Sequence, residues 1–178
     1  MRHAPLFGLA TAIDRGNALL GRGCAWLTLF LVIATTIVVL LRYLAGIGAT
    51  ALQEAAMYAH ALIFMGTAAW TLQCNGHVRV DIFQQRFPER RKAIVDGLGH
   101  LLFLLPVCLF LGWASWDYVS AAWATLEGSP ESGGLPFVYL QKSIILLLVV
   151  SLVLQGLSDL IKLGYRLAGR DDAEVQHG

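Results

Sequence analysis

Gly23-Cys24-Ala25-Trp26-Leu27-Thr28-Leu29-Phe30-Leu31-Val32-Ile33-Ala34-Thr35-Thr36-Ile37-Val38-Val39-Leu40-Leu41, enclosed by Arg22 and Arg42, is the stretch that decides the fold. It contains no Asp, Glu, Lys or Arg, and eleven of its residues from Cys24 to Leu41 are Leu, Ile, Val or Phe. On the insertion scale those eleven are worth roughly −3 to −7 kcal/mol. A hydrocarbon core of ~30 Å takes about 20 helical residues. The run therefore reads as a helix that crosses a bilayer.

Working outward, three more stretches have the same character. The apolar part of the second is about residues 55–73, between Glu54 and Arg79. The third, about 96–116, lies between Asp96 and Asp117, and the fourth, about 140–161, keeps Lys142 and Asp159 near its ends. The first span extends to about 24–44, residues 1–22 form an N-terminal interfacial segment, the membrane domain covers 23–161, and 162–178 is a tail. The whole chain agrees. Of its 178 residues 57% are hydrophobic and 14% charged, with a mean hydropathy of +0.63. A soluble domain averages roughly 25% charged residues, so an ordinary cytosolic enzyme and a disordered chain are both excluded. The net charge of +1 supplies no field for nucleic acid. Cys24, Cys74 and Cys108 are odd in number and lack a CxxC spacing, so they read as apolar thiols and not as a zinc site or disulfide framework.

Eleven of the thirteen Lys and Arg fall in the N-terminal segment, the second loop and the tail; only Arg42 and Lys142 lie on the other side. The positive-inside rule then places both termini in the cytoplasm. The expectation is an all-α, four-span membrane protein, N-in and C-in, with interfacial amphipathic helices at about 5–20 and in the 76–92 loop. In that loop Val80, Phe83 and Phe87 recur at helical spacing among basic residues, which suits the headgroup layer. Pro88 ends that helix. A cleaved signal peptide is the alternative for the N-terminus, but Leu6 to Ala10 is short for its apolar region.

Span two is rich in Ala and Gly, the residues that let membrane helices approach closely. It is expected to be the most enclosed helix, with partners in this chain or another. Pro106 should kink span three. Trp113, Trp116, Tyr118, Trp123 and Tyr139 crowd the outer side beside the acidic loop Glu127 to Pro136. They serve as interface anchors, or as a surface for a periplasmic partner.

The ordered set now assembled resembles the small membrane subunit, the DctQ family, of tripartite ATP-independent periplasmic (TRAP) transporters. It comprises Leu41-Arg42-Tyr43 closing span one and Gln53-Glu54 opening span two, with Tyr58, Phe64 and Gly66 along it. Gly76-His77-Val78-Arg79-Val80-Asp81 and Pro88 follow. The likeness runs from about Leu27 to Leu160, although the family often shows two acidic residues where Gln53-Glu54 stands here. What it implies is a complex in the bacterial inner membrane. A large permease subunit carries an organic acid or related solute with sodium by an elevator-like motion, and a periplasmic substrate-binding protein delivers the solute. This chain would support the static part of the large subunit. The chain's end at Gly178 leads to the expectation that the large subunit is a separate chain.

The residues themselves agree with a supporting role. No Asp, Glu, Lys or Arg lies near the middle of a span, four helices are few for an alternating-access cavity, and no nucleophile, base and orienting group cluster for catalysis. No cofactor or metal is expected on this chain; lipid is its solvent. The rival reading is a haem-binding or electron-transfer anchor using His60 and His100. His60 lies six residues below Glu54 and His100 four beyond Asp96, on opposite sides, which separates them by roughly 10–15 Å along the membrane normal. The candidate structural or subunit-contact residues are Arg42, Glu54, His77, Arg79 and Asp81. Arg42 and Glu54 either pair across the first outer loop or each reach a partner subunit, or they snorkel independently. His77 and Asp81 share a face if their loop is helical, which suits a hydrogen bond or a subunit contact.

Overall fold

The computed structural model describes residues 4–77 and 87–167. They form helices α1 (Ala4–Leu40), α2 (Thr50–Gln73), α3 (Glu89–Gly99), α4 (Leu105–Ala124) and α5 (Val138–Leu167), with wide π-type turns at Leu41–Ala45 and His100–Leu104. Four helical stretches among the described residues are long and apolar enough to cross a membrane: Pro5–Ala45, Thr50–Gln73, Arg90–Ala124 and Val138–Leu167. The four-span, all-α reading holds.

Each helix is longer than its apolar run. Residues 4–22, expected as an interfacial segment, continue into the first span as one helix. That helix ends where Gly46 adopts a left-handed φ of 67° and returns its N–H to the Leu41 carbonyl, as does Ile47 at 3.1 Å. A Cβ would strain that φ, so glycine is the natural stop. Pro88 opens α3 and its carbonyl takes the N–H groups of Arg91 and Lys92. The turn His100–Leu104 then joins α3 to α4 without a break, the Leu105 N–H reaching the His100 carbonyl five residues back. The proline ring of Pro106 would collide with the carbonyl four residues earlier in a regular helix. The wider turn just before it relieves that collision. Pro106 therefore leaves its mark as a π turn.

Helix α5 lies at the centre, packed against α1, α2 and α4. A third of its apolar stretch, 33%, is buried, against 22% for α2 and 11% for each of the other two. Within this chain, then, α5 is the most enclosed helix, and the expectation for span two turns on what covers its outer face. The small residues of α2 do turn inward, with Ala56, Ala59, Gly66 and Ala69 buried, and a Cβ on Gly66 would stand 2.6 Å from Cys24 Sγ of α1. But α2 lies at the side of the bundle, whereas α5 has polar side chains to enclose: Ser151, Gln155 and Ser158 are all buried.

Candidate functional site

Polar side chains gather at the two ends of the bundle. At the end where α1 begins and α5 finishes, α1 carries Ala10, Asp14, Asn17, Gly21 and Cys24 at alternating spacings of four and three, so they share one face. Ser151, Gln155, Ser158 and Lys162 repeat that pattern on α5. The two helices run antiparallel and the stripes meet. Asn17 Nδ2 donates to Gln155 Oε1 at 2.9 Å and to the Ser151 carbonyl at 3.3 Å. Gln155 Nε2 donates to Asp14 Oδ1 and Asp159 Oδ1, each at 3.1 Å. Ser158 Oγ lies 2.8 Å from Asp14 Oδ1 and 3.1 Å from the Ala10 carbonyl. Lys162 pairs with Asp14 and lies 3.6 Å from Asp159. Gln155 and Ser158 are fully buried. Every polar atom named in this network has a partner, as low dielectric demands.

His100 joins the same network from α4's side. Its Nδ1 donates to the Asp96 carbonyl at 2.7 Å, and Nε2 lies 3.4 Å from Asp159 Oδ2 without hydrogen-bond alignment. A cavity of about 180 Å³ opens beside it, lined by Gln73, Asp96, His100, Asp159, Lys162 and Arg166. His77 sits near this end, exposed, its Nε2 donating to the Ala68 carbonyl at 3.3 Å. Arg79 and Asp81 lie outside the described residues, as does most of the expected interfacial helix with Val80 and Phe83.

At the other end the loop after α4 folds over the start of α2. Ser129 Oγ donates to Glu54 Oε1, and the Leu135 N–H donates to Glu54 Oε2 at 2.6 Å. The loop is closed on itself by Ser129 N–H to the Leu135 carbonyl at 3.0 Å. Glu54 thus clasps the second outer loop and does not pair with Arg42. Arg42 lies exposed on the last, wide turn of the α1 helix and has no ion pair among the described residues. Beside the clasp, Lys142 pairs with Glu127 at 2.5 Å and its Nζ stands 4.0 Å over the Tyr118 ring. Trp123 donates to Ser143 Oγ at 2.8 Å and packs on Tyr139 with ring centroids 4.7 Å apart. Trp113 and Trp116 are exposed, as interface anchors are.

The two histidines of the haem reading belong to different levels. His100 faces Asp159, whereas His60 lies in a groove beside Gln141. Eighteen residues of α5 separate those two positions, about 27 Å of helix. No iron can take both as ligands. Among the described residues, no three His, Cys, Asp or Glu side chains group as a metal site.

Sequence reading placed Glu54 and His77 among the candidates but missed Asp14, Asn17, Gln155 and Ser158. The signal was there as two matching stripes. What was missing was the knowledge that they face each other.

Four apolar helices, latched to one another at both ends, define an integral membrane protein. Residues 31–164 match the family described as tripartite ATP-independent periplasmic transporters, DctQ component. The chain belongs to that family and is a TRAP transporter small permease subunit. No curated protein and no solved structure matches it.

Proposed function

We propose that this chain is the small permease subunit of a sodium-coupled, binding-protein-dependent importer of organic acids or related solutes in the bacterial inner membrane. It supports the static part of the large permease subunit and carries no substrate itself. Both termini face the cytoplasm, the side that receives eleven of the thirteen basic residues. The observation that carries the reading is where the chain spends its polar groups. They bind its helices together at the two ends, which makes a body suited to brace a neighbour. Alternating access instead calls for broken helices and ionisable groups at mid-depth. Arg42, at the end with the Glu54 clasp, and His77, Arg79 and Asp81, in the loop at the opposite end, are the residues through which it contacts the large subunit outside the bilayer; Glu54 shapes the second outer loop.

The test is reconstitution. Proteoliposomes holding both permease subunits, with the binding protein outside, should accumulate a radiolabelled organic acid when sodium is present and not when potassium replaces it. Vesicles with this chain alone should accumulate none. A disulfide joining this chain to the large subunit should leave uptake intact. Uptake by this chain alone, or loss of uptake on that cross-link, would contradict the proposal. Alanine at both His77 and Asp81 should reduce recovery of the large subunit.

A further inference from the structure

The outward stripe of α2 is Gln53, Met57, His60 and Phe64, all exposed and spaced by four, three and four. It is the reverse of the buried face Ala56, Ala59, Gly66 and Ala69. Two of its four members are polar. Helix α1 and the start of α5 flank it, so that Leu31, Thr35, Gln53, Met57, His60 and Gln141 line an open groove of about 430 Å³. Thr35 returns its hydroxyl to the Leu31 carbonyl at 2.7 Å. The side chains of Gln53, His60 and Gln141 have no hydrogen-bond partner among the described residues.

Depth makes this unusual. His60 is ten residues into α2 and thirteen from its end, about 15 and 20 Å along the helix. That is inside a hydrocarbon core of ~30 Å. An ionisable side chain at such depth normally faces a bundle interior or a watery cavity. Here it faces away from the chain. The contrast with α4 and the wide turn before it is direct: Leu101, Leu102, Phe103, Val107 and Phe110 are exposed there and are apolar, as lipid requires. The ionisable Asp117 of α4 lies seven residues, about 10 Å, from that helix's loop end, among Trp113, Trp116 and Tyr118. At that level it reaches headgroups, which His60 cannot.

We infer that the groove centred on His60 receives a membrane-spanning helix of the large permease subunit, one that presents a hydrogen-bonding side chain to the imidazole. The inference rests on the function proposed above and adds the face through which the two subunits meet inside the bilayer. A purely apolar helix or lipid would leave the His60 imidazole stranded, and a helix bearing an amide, hydroxyl or carboxyl group satisfies it. Gln53 and Gln141, at the loop end of the groove, would bond the same helix where it nears the headgroups.

The full chain, tagged and coexpressed with the large subunit, provides the test. Benzoylphenylalanine in place of Met57 or Phe64 should photocross-link to the large subunit, and the same probe in place of Phe103 or Phe110 should not. His60→Leu should lower recovery of the large subunit by about threefold to twentyfold, the span expected for one interhelical hydrogen bond, and His60→Gln should restore most of it. The isolated His60→Leu chain should unfold no more easily than wild type, since it loses no internal hydrogen bond, only a tilted ring contact with Phe64 one turn along the same helix, centroids 6.3 Å apart. Adducts from the α4 positions alone, adducts from Met57 or Phe64 only to lipid or to a second copy of this chain, or full recovery with His60→Leu would each overturn the docking face. If the unmodified tagged chain fails to copurify with the large subunit, the proposed function itself fails, and the docking face with it.

Discussion

Replacing Gln155 tests the buried network where it is most connected. Its side chain is fully buried and makes three hydrogen bonds, one accepted from Asn17 and two donated to the carboxylates of Asp14 and Asp159. Bonds to charged groups are worth about 1.5–3 kcal/mol each in soluble proteins, but interhelical bonds in membrane proteins average only ~0.6 kcal/mol because the separated helices find other partners. The partners left behind here are not orphaned: Asn17 keeps Ser151, Asp14 keeps Ser158 and Lys162, and Asp159 keeps Lys162 and His100. About 2 kcal/mol for the three bonds is therefore the appropriate scale. Gln155→Ala also opens a void one methylene and an amide in size, which adds about 1 kcal/mol or more. The expected loss is about 3 kcal/mol for alanine and about 2 kcal/mol for Gln155→Leu, which refills most of the space. Detergent-micelle samples of the full chain titrated with SDS, followed by tryptophan fluorescence and far-UV circular dichroism, would give both values. Leu154→Ala, one residue away on the exposed side of α5, is the comparison. If Gln155→Ala costs no more than Leu154→Ala, or under about 0.5 kcal/mol, as ordinary surface changes do, the network does not hold α1 to α5 and the argument from it is refuted.

Three further outcomes follow from named contacts. Glu54→Gln or Ser129→Ala should free the loop of residues 127–136, so that the Leu135 amide exchanges its hydrogen at least about tenfold faster; the double reversal Arg42→Glu with Glu54→Arg should not restore protection, because Glu54's partners are in the loop. Gly66→Ala should destabilise the α1–α2 contact by about 1–3 kcal/mol, since its Cβ would meet Cys24 Sγ at 2.6 Å, and Cys24→Ala in the same chain should recover most of that loss. Tyr58→Phe should be neutral or stabilise by up to about 1 kcal/mol, because the Tyr58 hydroxyl is buried without a hydrogen-bond partner among the described residues; a clear loss of stability in the SDS titration would show that the hydroxyl has a partner after all.

The four spans were legible because lipid enforces a rule that one helix can announce alone: about 20 residues without a net cost of insertion. Their ends were not. Hydropathy reports only the part of a helix that meets hydrocarbon, whereas α1, α5 and the α3–α4 helix continue past it wherever side chains tie them to a neighbour. The 10–24 stripe of α1 extends its helix in this way, held by α5 beyond the apolar run. The partner of Glu54 was illegible for a different reason. Arg42 was the obvious candidate by charge and nearness in sequence, but a backbone N–H, here that of Leu135, has no signature in the residue that carries it. The clasp needed a folded loop before it could be seen.

The position of the polar groups also separates two kinds of membrane helix contact in this chain. At the ends, Asp14, Asn17, Gln155, Lys162, Glu54 and Lys142 bond across elements, so the helices they join cannot slide past one another without breaking several bonds together. Between the ends the internal contacts include small residues in close approach, Gly66 on Cys24 and Gly112 on Val149, which give adhesion without strong direction. Such a body moves as one piece. On the proposed function, that rigidity is what a support needs: a neighbour that carries solute across the bilayer must push against something that does not shear. Among the described residues, the unpartnered polar side chains that face outward along the groove are Gln53 and Gln141 at its loop end and His60 at depth. A rigid body with one directional, hydrogen-bonding seam can dock in one register, while its apolar faces remain free to meet lipid.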